Sequence, residues 1–418
     1  MPVGERLDLG GDPEFYAVTK TGRAISAHNH QEIFGQRGLG GQIIRDGAAF
    51  EINPTASGCR DTFIPNAAHI LKRLALALPR YELSCAPVVE LFKRELINAP
   101  EDVLRGGCDP DYDAYTLSRK APDEYRDNHR FTAGHIHLGL AHSYMEKSLL
   151  PKKTIEAPPE ELVMNAAEVA RMLDIVLGIP VVAMLGKTYA EGEAWRRQFY
   201  GQAGSFRLQP HGIEYRVPSA RLWLSPIMLH AFLGLTQIFK RDYGLNVQGN
   251  MKAMAGMASG FTRLLDEETV RHIINSHDAS TAQAFWFDVL RPHLVKLGGV
   301  PVELQNIRPS LYATIAPSFV TIDAIIRADM DGVHFVNSLR NNWGLYSNFS
   351  IVDHAYLGNQ AANWGLFSEL FFPQIGHVDG FARVPVMVQH PTEVATQVVG
   401  LRAGLMGDLN RFQLRRKV

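Results

Sequence analysis

The sequence predicts an α+β protein in which short strands carrying paired polar side chains are interspersed with amphipathic helices. Four segments place two polar or charged residues at positions i and i+2 among small or apolar neighbours. On a β-strand such positions point to the same face of the sheet. Converging strands of this kind would line one face with acids, imidazoles and a guanidinium. The four pairs are Asp12 with Glu14, Glu51 with Asn53, His135 with His137, and Glu214 with Arg216.

Length and charge bound the domain organisation and the partners. The chain has 418 residues, more than one hydrophobic core usually holds, so we expect two domains or one domain with an appendage. Periodicity weakens near residue 300, which predicts a domain at 1–300 and a C-terminal accessory region at 301–418. With 42 basic and 43 acidic residues, the chain has no global attraction to nucleic acid or to an acidic membrane.

Cysteine usage and hydropathy predict a protein of the cytoplasm. The three cysteines include no C-x-x-C pair, which argues against a disulfide framework and a cysteine-based zinc site. The first residues lack the apolar core of a signal peptide. The longest apolar stretches, such as Ile175–Leu185, are too short and interrupted to span a bilayer.

The first third of the chain predicts strands and turns around one helix. Four glycines in Phe34–Gly41 predict a flexible loop or a lid, and the phosphate-loop lysine is missing. Asp46 and Gly47 predict the turn into the strand that carries Glu51. We expect a helix over Asn66–Leu78, bounded by Pro65 and Pro79, and a loop over residues 100–130.

Later segments predict helices with defined ends. Glu160–Leu177 is amphipathic and is followed by Gly178 as a stop. Pro226–Tyr243 is apolar on most faces, which predicts a buried helix. Two further helices are predicted near Glu268–Ser276 and Thr281–Leu290.

Two of the motifs have ordinary structural explanations as well as functional ones. His135 and His137 form an H-x-H pattern, which occurs in metal sites and also by accident in strands. The basic, aromatic segment containing Arg196, Arg197 and Tyr200 predicts either a solvated arginine pair or arginines that clamp phosphate bidentately.

The order of five motifs is more specific than any one of them. G-x-D-P-E-F, D-G-x-x-x-E-x-N-P, G-H-I-H-L-G, Y-G-x-x-G-x-F-R and G-x-E-Y-R-x-P-S follow one another here. This order resembles the phage-associated amidoligases of the carboxylate–amine ligase superfamily, which includes glutamine synthetase and glutamate–cysteine ligase. The resemblance covers the chain from residue 7 to about residue 240 and leaves the C-terminal region without an explanation. It implies a mainly antiparallel, curved sheet of glutamine-synthetase-like type, with helices on its outer face and ATP and two or more Mg²⁺ ions on its concave face.

The resemblance also implies roles for individual residues. The expected cation ligands are Asp12, Glu14, Glu51, Asn53, His137 and Glu214. The expected nucleotide contacts are His135, His137, Arg196, Arg197 and Tyr200, and the expected catalytic residues are Arg207, Glu214 and Arg216. Asp12 stands where the superfamily often has Glu, so its shorter reach could leave it one step away from the cation.

The implied function is an ATP- and Mg²⁺-dependent ligase that joins a small-molecule or peptide carboxylate to an amine. A homo-oligomer, or association with a larger phage assembly through the C-terminal region, would be compatible with it, in the host cytoplasm if the chain is phage-encoded. Two alternatives stay open: a metal-dependent hydrolase that uses His135 and His137, and an inactive phage structural or binding protein on a ligase fold.

Overall fold

The computed structural model describes ten stretches of the chain: residues 7–19, 21–35, 37–38, 40–104, 111–120, 128–140, 157–239, 247–298, 311–330 and 351–352. The described strands are, in chain order, β1 Leu7–Gly11, β2 Glu14–Val18, β3 Ala24–Ile25, β4 Arg37–Gly38, β5 Gly41–Asp46, β6 Ala49–Pro54, β7 Glu82–Ser84, β8 Val88–Glu90, β9 Asp111–Asp113, β10 Arg119–Lys120, β11 His129–Phe131, β12 Ile136–Leu140, β13 Ser205–Gln209, β14 Gly212–Tyr215 and β15 Ile351–Val352.

The described α-helices include two that lie among the strands of the first third and nine that begin after residue 157. They are α1 Arg60–Ala77, α2 Glu101–Leu104, α3 Glu160–Leu173, α4 Ile179–Leu185, α5 Ala190–Arg196, α6 Pro226–Leu235, α7 Val247–Ala258, α8 Glu267–Ser276, α9 Ala279–Phe285, α10 Arg291–Gly298 and α11 Leu311–Met330. Two π turns join neighbouring helices, Asp174–Gly178 between α3 and α4, and Trp286–Leu290 between α9 and α10.

Two sheets form a curled half-barrel of largely antiparallel strands, which confirms the α+β class. The first sheet has the order β1-β12-β14-β13-β9-β10, and the second has the order β15-β7-β2-β6-β5-β4 with β3 beside β2. A backbone bridge between Leu9 and Ser57 joins the two sheets, and the backbone N–H of Glu14 donates to the carbonyl of Ala133. The chain therefore passes from one sheet to the other at Asp12 and Pro13.

Helices cover one face of each sheet. Helix α3 packs on β13 and β14, whose apolar side chains Phe206, Leu208 and Ile213 are buried. Helix α1 packs on β5 and β6, with Phe50 and Ile52 in the same core. The alternation of β6 is as predicted, because Phe50 and Ile52 enter the core while Glu51 and Asn53 share the opposite face. Asp46 and Gly47 lead into this strand through the tight turn between β5 and β6, also as predicted.

Two predicted helix boundaries were wrong because packing overrides the local signals. Helix α1 begins at Arg60, so Pro65 lies inside it rather than at its start. Its buried stripe begins with Phe63 and Ile64, ahead of the proline. Gly178 does not end the long helix, which continues through the π turn to Leu185 and ends at Gly186 with φ of 69°. A Cβ on Gly178 would lie 2.5 Å from the hydroxyl of Tyr215, so this glycine makes room for a side chain.

Other predicted segments were partly right. Helix α8 matches its prediction within a residue, whereas α9 begins at Ala279 and continues past Leu290 into α10. Helix α6 ends at Leu235 and is followed by a 3-10 turn over Thr236–Phe239, and residues 240–246 lie outside the described residues. The predicted loops at 34–41 and 100–130 contain short strands and the helix α2, next to positions outside the described residues.

Helix α11 belongs to the same core as the first 300 residues. It packs on α6, α4 and α10 with Phe319, Ile322 and Ile326 buried. The carboxylate of Asp323 accepts hydrogen bonds from Trp286 Nε1 (2.7 Å) and Arg291 Nε (2.8 Å). Helix α11 therefore packs with the preceding helices, and the predicted domain boundary at residue 300 stays a prediction. Most of 301–418 lies outside the described residues.

No single helix of the described residues is long and apolar enough to cross a membrane. One bent pair of segments, Glu160–Leu185 and Lys187–Arg196, meets such a test together by length and composition only.

Candidate functional site

The register of the first sheet places four positions in one row across four strands. Gly10 of β1 pairs with His137 of β12, His137 pairs with Glu214 of β14, and Glu214 pairs with Arg207 of β13. Directly opposed residues of antiparallel strands point to the same face. The face opposite α3 therefore presents an imidazole, a carboxylate and a guanidinium side by side.

A second row lies two residues along the same face. It contains His135, which directly precedes β12, and Arg216, which directly follows β14. Arg216 donates to Glu214 and to the hydroxyl of Tyr200, and the Tyr200 hydroxyl lies 2.8 Å from Nε2 of His135. The guanidinium of Arg216 also lies over the Tyr200 ring, 5.3 Å from its centroid. Arg216 is thus held in a fixed orientation at the floor of the site.

Asp111 of β9 completes a network of charges around the arginines. Its Oδ1 lies 2.7 Å from Nε of Arg216 and 3.5 Å from Nη2 of Arg207. Nη1 of Arg207 lies 3.6 Å from Glu214. Burial alone would raise the pKa of Glu214, but Arg216 and Arg207 outweigh burial and lower this pKa to about 2. Glu214 is therefore ionised at neutral pH.

Asp12 lies where β1 has ended and β2 has not begun. Its Oδ1 lies 3.2 Å from Nδ1 of His135, and its Oδ2 lies 3.2 Å from Nε2 of His137. Burial would raise the pKa of Asp12, but the two histidines hold it well below its ordinary value. Ligand atoms of Asp12, His137 and Glu214 all lie within 4.8 Å of one another. The shorter side chain of Asp12 thus still reaches this cluster.

The expectation that Asp12 and Glu14 share one strand face was wrong. Pro13 separates the two sheets at this point, so Glu14 opens β2 and pairs with Glu51 of β6. Pro13 cannot donate a backbone hydrogen bond, which fits a break in the ladder. The consequence is that the two carboxylates lie in two different clusters.

The second cluster contains Glu14, Asp46 and Glu51, whose ligand oxygens lie within 4.8 Å of one another. The backbone N–H of Ala133 donates to Glu14 (3.1 Å), and Asn53 donates to Glu51 (2.9 Å). Burial, reinforced by neighbouring carboxylates, raises the pKa values of Glu14 and Glu51 well above the ordinary value of a glutamate. Asp12 of the first cluster is among the charges that raise both pKa values, so the two clusters interact electrostatically, and together with the neighbouring arginines they are called the basin.

Both clusters have the donor sets that divalent cations require. Mg²⁺ takes carboxylate and amide oxygens, with substrate phosphates completing its coordination. Buried carboxylates that repel one another are stabilised by a positive charge between them. Asp12 with Glu214, and Glu14 with Asp46 and Glu51, therefore fit cations, and His137 adds an imidazole to the first cluster.

The side chains of Arg196 and Arg197 are both buried in the protein interior. The guanidinium of Arg196 donates to the backbone carbonyls of Thr132, Val217 and Pro218. Arg197 donates to the carbonyls of Gly201 and Ile274 and lies 3.7 Å from Glu193. These contacts hold backbone segments together, so the geometry does not support the predicted nucleotide contacts of this pair.

Sequence reasoning missed four residues of the basin. Gln209 donates to Glu214, and His211 stacks on His137 with ring centroids 5.0 Å apart. Gln209 follows Arg207 at i+2, the signal used for the other strands, and could have been found. Asp46 had been interpreted only as a turn residue, and Asp111 lies in the segment predicted to be a loop.

Part of the chain matches a known protein family. Residues 161–279 match the model of a family described as phage phiEco32-like COOH.NH2 ligase-type 2. No curated protein and no solved structure matches the chain. The matched segment contains Arg207, Glu214 and Arg216, whereas His135, His137 and the acids of the first 51 residues precede it. Over residues 161–279 the resemblance to the phage-type amidoligases is thus confirmed, and this segment is similar to a family of carboxylate–amine ligases.

Proposed function

We propose that this protein is an ATP- and Mg²⁺-dependent ligase that forms an amide bond between a carboxylate and an amine through an acyl phosphate. One observation carries the proposal: Arg207 and Arg216 share a sheet face with His137 and Glu214 of one cluster of potential cation ligands, and a second such cluster lies on the adjoining sheet. Guanidinium groups and cation-binding carboxylates are the groups with which proteins position and neutralise phosphates. The family match supports the ligase chemistry in general.

The reaction needs an activated carboxylate, because a free carboxylate does not condense with an amine at neutral pH. In the proposed first step, a carboxylate oxygen of the substrate attacks the γ-phosphorus of ATP, and ADP leaves with the electron pair of the broken bond. In the second step, the amine attacks the acyl carbon and inorganic phosphate leaves. The amine gives up one proton, and the acceptor of this proton is left open.

The chain's own residues supply binding, orientation and charge. Asp12, His137 and Glu214 would hold one cation, and Glu14, Asp46 and Glu51, supported by Asn53, would hold another. Bound Mg²⁺ would supply charge neutralisation of the phosphates. Arg207 and Arg216 would orient the transferring phosphoryl group, since their positions are fixed by Asp111 and Glu214. Tyr200 and His135 would hold Arg216 in place.

The hydrolase alternative, with both histidines on a catalytic zinc, is less well supported. Nε2 of His135 lies 2.8 Å from the Tyr200 hydroxyl, and Nδ1 lies 3.2 Å from Asp12. Of the two histidines, only His137 stands in a cluster with ligand spacing.

We extend the ligase proposal to the fold and the location of the protein. The catalytic sheet would be of glutamine-synthetase-like type, and the protein would be phage-encoded and act in the host cytoplasm. It would have no nucleic-acid or membrane partner.

ADP release tests this function. The full chain is incubated with ATP, Mg²⁺ and a panel of carboxylates with amino acids and polyamines as amine donors. We expect Mg²⁺-dependent ADP release with an active pair, and a loss on the order of 100- to 1,000-fold in Glu214→Gln, because transition-state charge stabilisation is removed. The matched control is Glu32→Gln, since Glu32 is 72% exposed.

Three outcomes would contradict the proposal. Wild-type turnover in Glu214→Gln would remove this residue from the site. Activity with zinc and without nucleotide would favour the hydrolase. If no substrate pair supports ATP turnover and the protein does not bind a non-hydrolysable ATP analogue, the inactive structural protein is favoured.

A further inference from the structure

A buried carboxylate lies on the helix side of the first sheet, away from the basin. Asp174 is fully buried and opens the π turn between α3 and α4. Its Oδ1 accepts a hydrogen bond from the Tyr215 hydroxyl (2.7 Å), and its Oδ2 accepts one from the Tyr115 hydroxyl (2.8 Å). The backbone N–H of Gly204 adds a third hydrogen bond. Both carboxylate oxygens are thus used to hold other segments.

The three segments held by Asp174 are the strands that carry the charged network of the basin. Tyr115 follows β9, which carries Asp111, and Gly204 precedes β13, which carries Arg207. Tyr215 lies between Glu214 and Arg216, and its side chain points to the core face. One carboxylate therefore connects the back of every strand whose front contributes to the ion pairs among Asp111, Arg207, Glu214 and Arg216.

The local backbone is adapted to this arrangement. A Cβ on Gly178, the last residue of the π turn, would lie 2.5 Å from the Tyr215 hydroxyl. A Cβ on Gly204 would lie 2.7 Å from the Tyr115 ring. Arg171, one turn before Asp174 on α3, donates to the carbonyl of Ala114 (2.8 Å). The same helix therefore also holds the residue that directly follows β9. π turns of this kind are uncommon and recur at functional sites.

We propose that Asp174 is a positioning residue of the site: by holding Tyr115 and Tyr215 it sets β9 against β14, so that Asp111 stays in contact with Arg216. The inference rests on the proposed function only for the use to which Arg216 is put. Arg216 is almost fully buried, and its Nε lies 2.7 Å from Asp111. Release of β9 would leave this contact without its support from behind.

The test compares Asp174→Asn and Tyr115→Phe with Tyr112→Phe in the full chain. Tyr112 is the matched control, because it lies on β9 itself and stacks on Phe206 at 5.5 Å on the core face. Phenylglyoxal labelling, read by peptide mass spectrometry, reports how accessible each arginine is. Arg23, half exposed and remote from the network, is the internal reference.

We expect Arg216 to be labelled roughly three- to tenfold faster in Asp174→Asn and Tyr115→Phe, the range that corresponds to loss of one buried hydrogen bond. Labelling of Arg23 stays constant, and Tyr112→Phe behaves as wild type. A purely stabilising role would lower the unfolding temperature and leave the relative labelling of Arg216 unchanged, which overturns the proposal. Tyr115→Phe decides the question if Asp174→Asn does not fold.

A second measurement separates this inference from the proposed function. Calorimetry measures the dissociation constant of the protein for the ATP analogue AMP-PNP in the presence of Mg²⁺. We expect this constant to rise in Tyr115→Phe and to stay unchanged in Tyr112→Phe. If the wild-type protein does not bind the analogue, the proposed function fails, while the labelling of Arg216 still decides the role of Asp174.

Discussion

Carboxylates of one basin have pKa values displaced in opposite directions. The arginines beside Glu214 hold its pKa at about 2, whereas burial and neighbouring acids raise the pKa values of Glu14 and Glu51. Glu214 keeps its charge through its partners in the chain. Burial and neighbouring acids favour the protonated forms of Glu14 and Glu51, and a bound cation would favour their ionised forms.

This difference predicts how stability depends on pH and Mg²⁺. The stabilisation from protonated Glu14 and Glu51 is complete below the ordinary glutamate pKa of 4.5 and is lost as pH rises through their raised values. Glu214 has the opposite sign, with a contribution that is lost only as pH falls from 4.5 toward about 2. We therefore expect Mg²⁺ to raise the melting temperature more at about pH 8 than at about pH 6.

Thermal unfolding with and without Mg²⁺ measures this effect. Glu51→Gln removes one of the groups and should reduce the pH dependence of the Mg²⁺-induced shift, whereas the exposed control Glu32→Gln should keep it. An equal Mg²⁺-induced shift at both pH values in the wild type would show that these carboxylates do not couple to the cation.

The sequence predicted most residues that the basin brings together, because period-two pairs on strands can be recognised without a structure. Asp12, Glu51, His137 and Glu214 were found in this way. The failures have a common cause. Arg196 and Arg197 look like anion ligands in the sequence, but only tertiary structure shows that their donors are directed to backbone carbonyls. Asp111 is a site residue only through a strand pairing that the sequence does not show.

Strand β1 places a glycine, Gly10, beside His137 in the site. Gly10 pairs with His137, and a Cβ at Gly10 would lie 3.2 Å from Cβ of His137. Such a contact is tighter than almost all real ones, so the histidine would have to move by a few tenths of an ångström. A side chain at Gly10 would therefore displace His137 in the row that crosses the four strands.

Gly10→Ala is expected to weaken cation binding while the protein stays folded. Displacement of His137 should cost about tenfold in Mn²⁺ affinity, the lower range for altered support of a ligand. Electron paramagnetic resonance of free Mn²⁺ measures it. Gly256→Ala in α7 is the control, because a Cβ there meets nothing within 4 Å. This variant should bind Mn²⁺ normally and gain about 0.5–1 kcal/mol of stability. Wild-type affinity in Gly10→Ala would contradict the proposed role of His137.

Helix ends were the least predictable elements. Pro65 and Gly178 are strong local punctuation, yet both lie inside helical segments whose buried stripes continue past them. Burial of a long apolar face outweighs a cost of a few kcal/mol at a single residue. Sequence patterns therefore gave the existence of these helices, while neighbouring elements decide where each one ends.

At the scale of the whole molecule, α11 is tied into the core by polar contacts as well as apolar ones. Asp323 accepts hydrogen bonds from Trp286 and Arg291, and Ser318 is bonded to Arg60 of α1. The weak periodicity after residue 300 predicts a separate region, and this domain division stays a prediction. Helix α11 packs into the core of the preceding helices, and a helix that is buried on many sides has no amphipathic pattern to recognise.

Asp323→Ala should destabilise the entire protein rather than release one helix. It leaves the buried indole N–H of Trp286 without its acceptor, at a cost of about 2–4 kcal/mol in the free energy of unfolding. Urea denaturation measures this value, and the exposed Glu268→Ala on α8 is the control. A change below about 0.5 kcal/mol would show that α11 is an independent appendage.

The pairing of β1 with β12 has a consequence for how the protein comes to exist. The backbone of Leu7 pairs with that of Leu140, and His137 in turn pairs with Glu214, so the residues of the basin come from distant stretches of the chain. During synthesis β1 cannot pair with β12 until the chain as far as Leu140 has left the ribosome. Such long-range pairing makes folding slow. We therefore expect cation binding to appear late in refolding, after helices such as α3 have formed. During synthesis, a nascent chain should not bind the cation until the strand with Glu214 is complete.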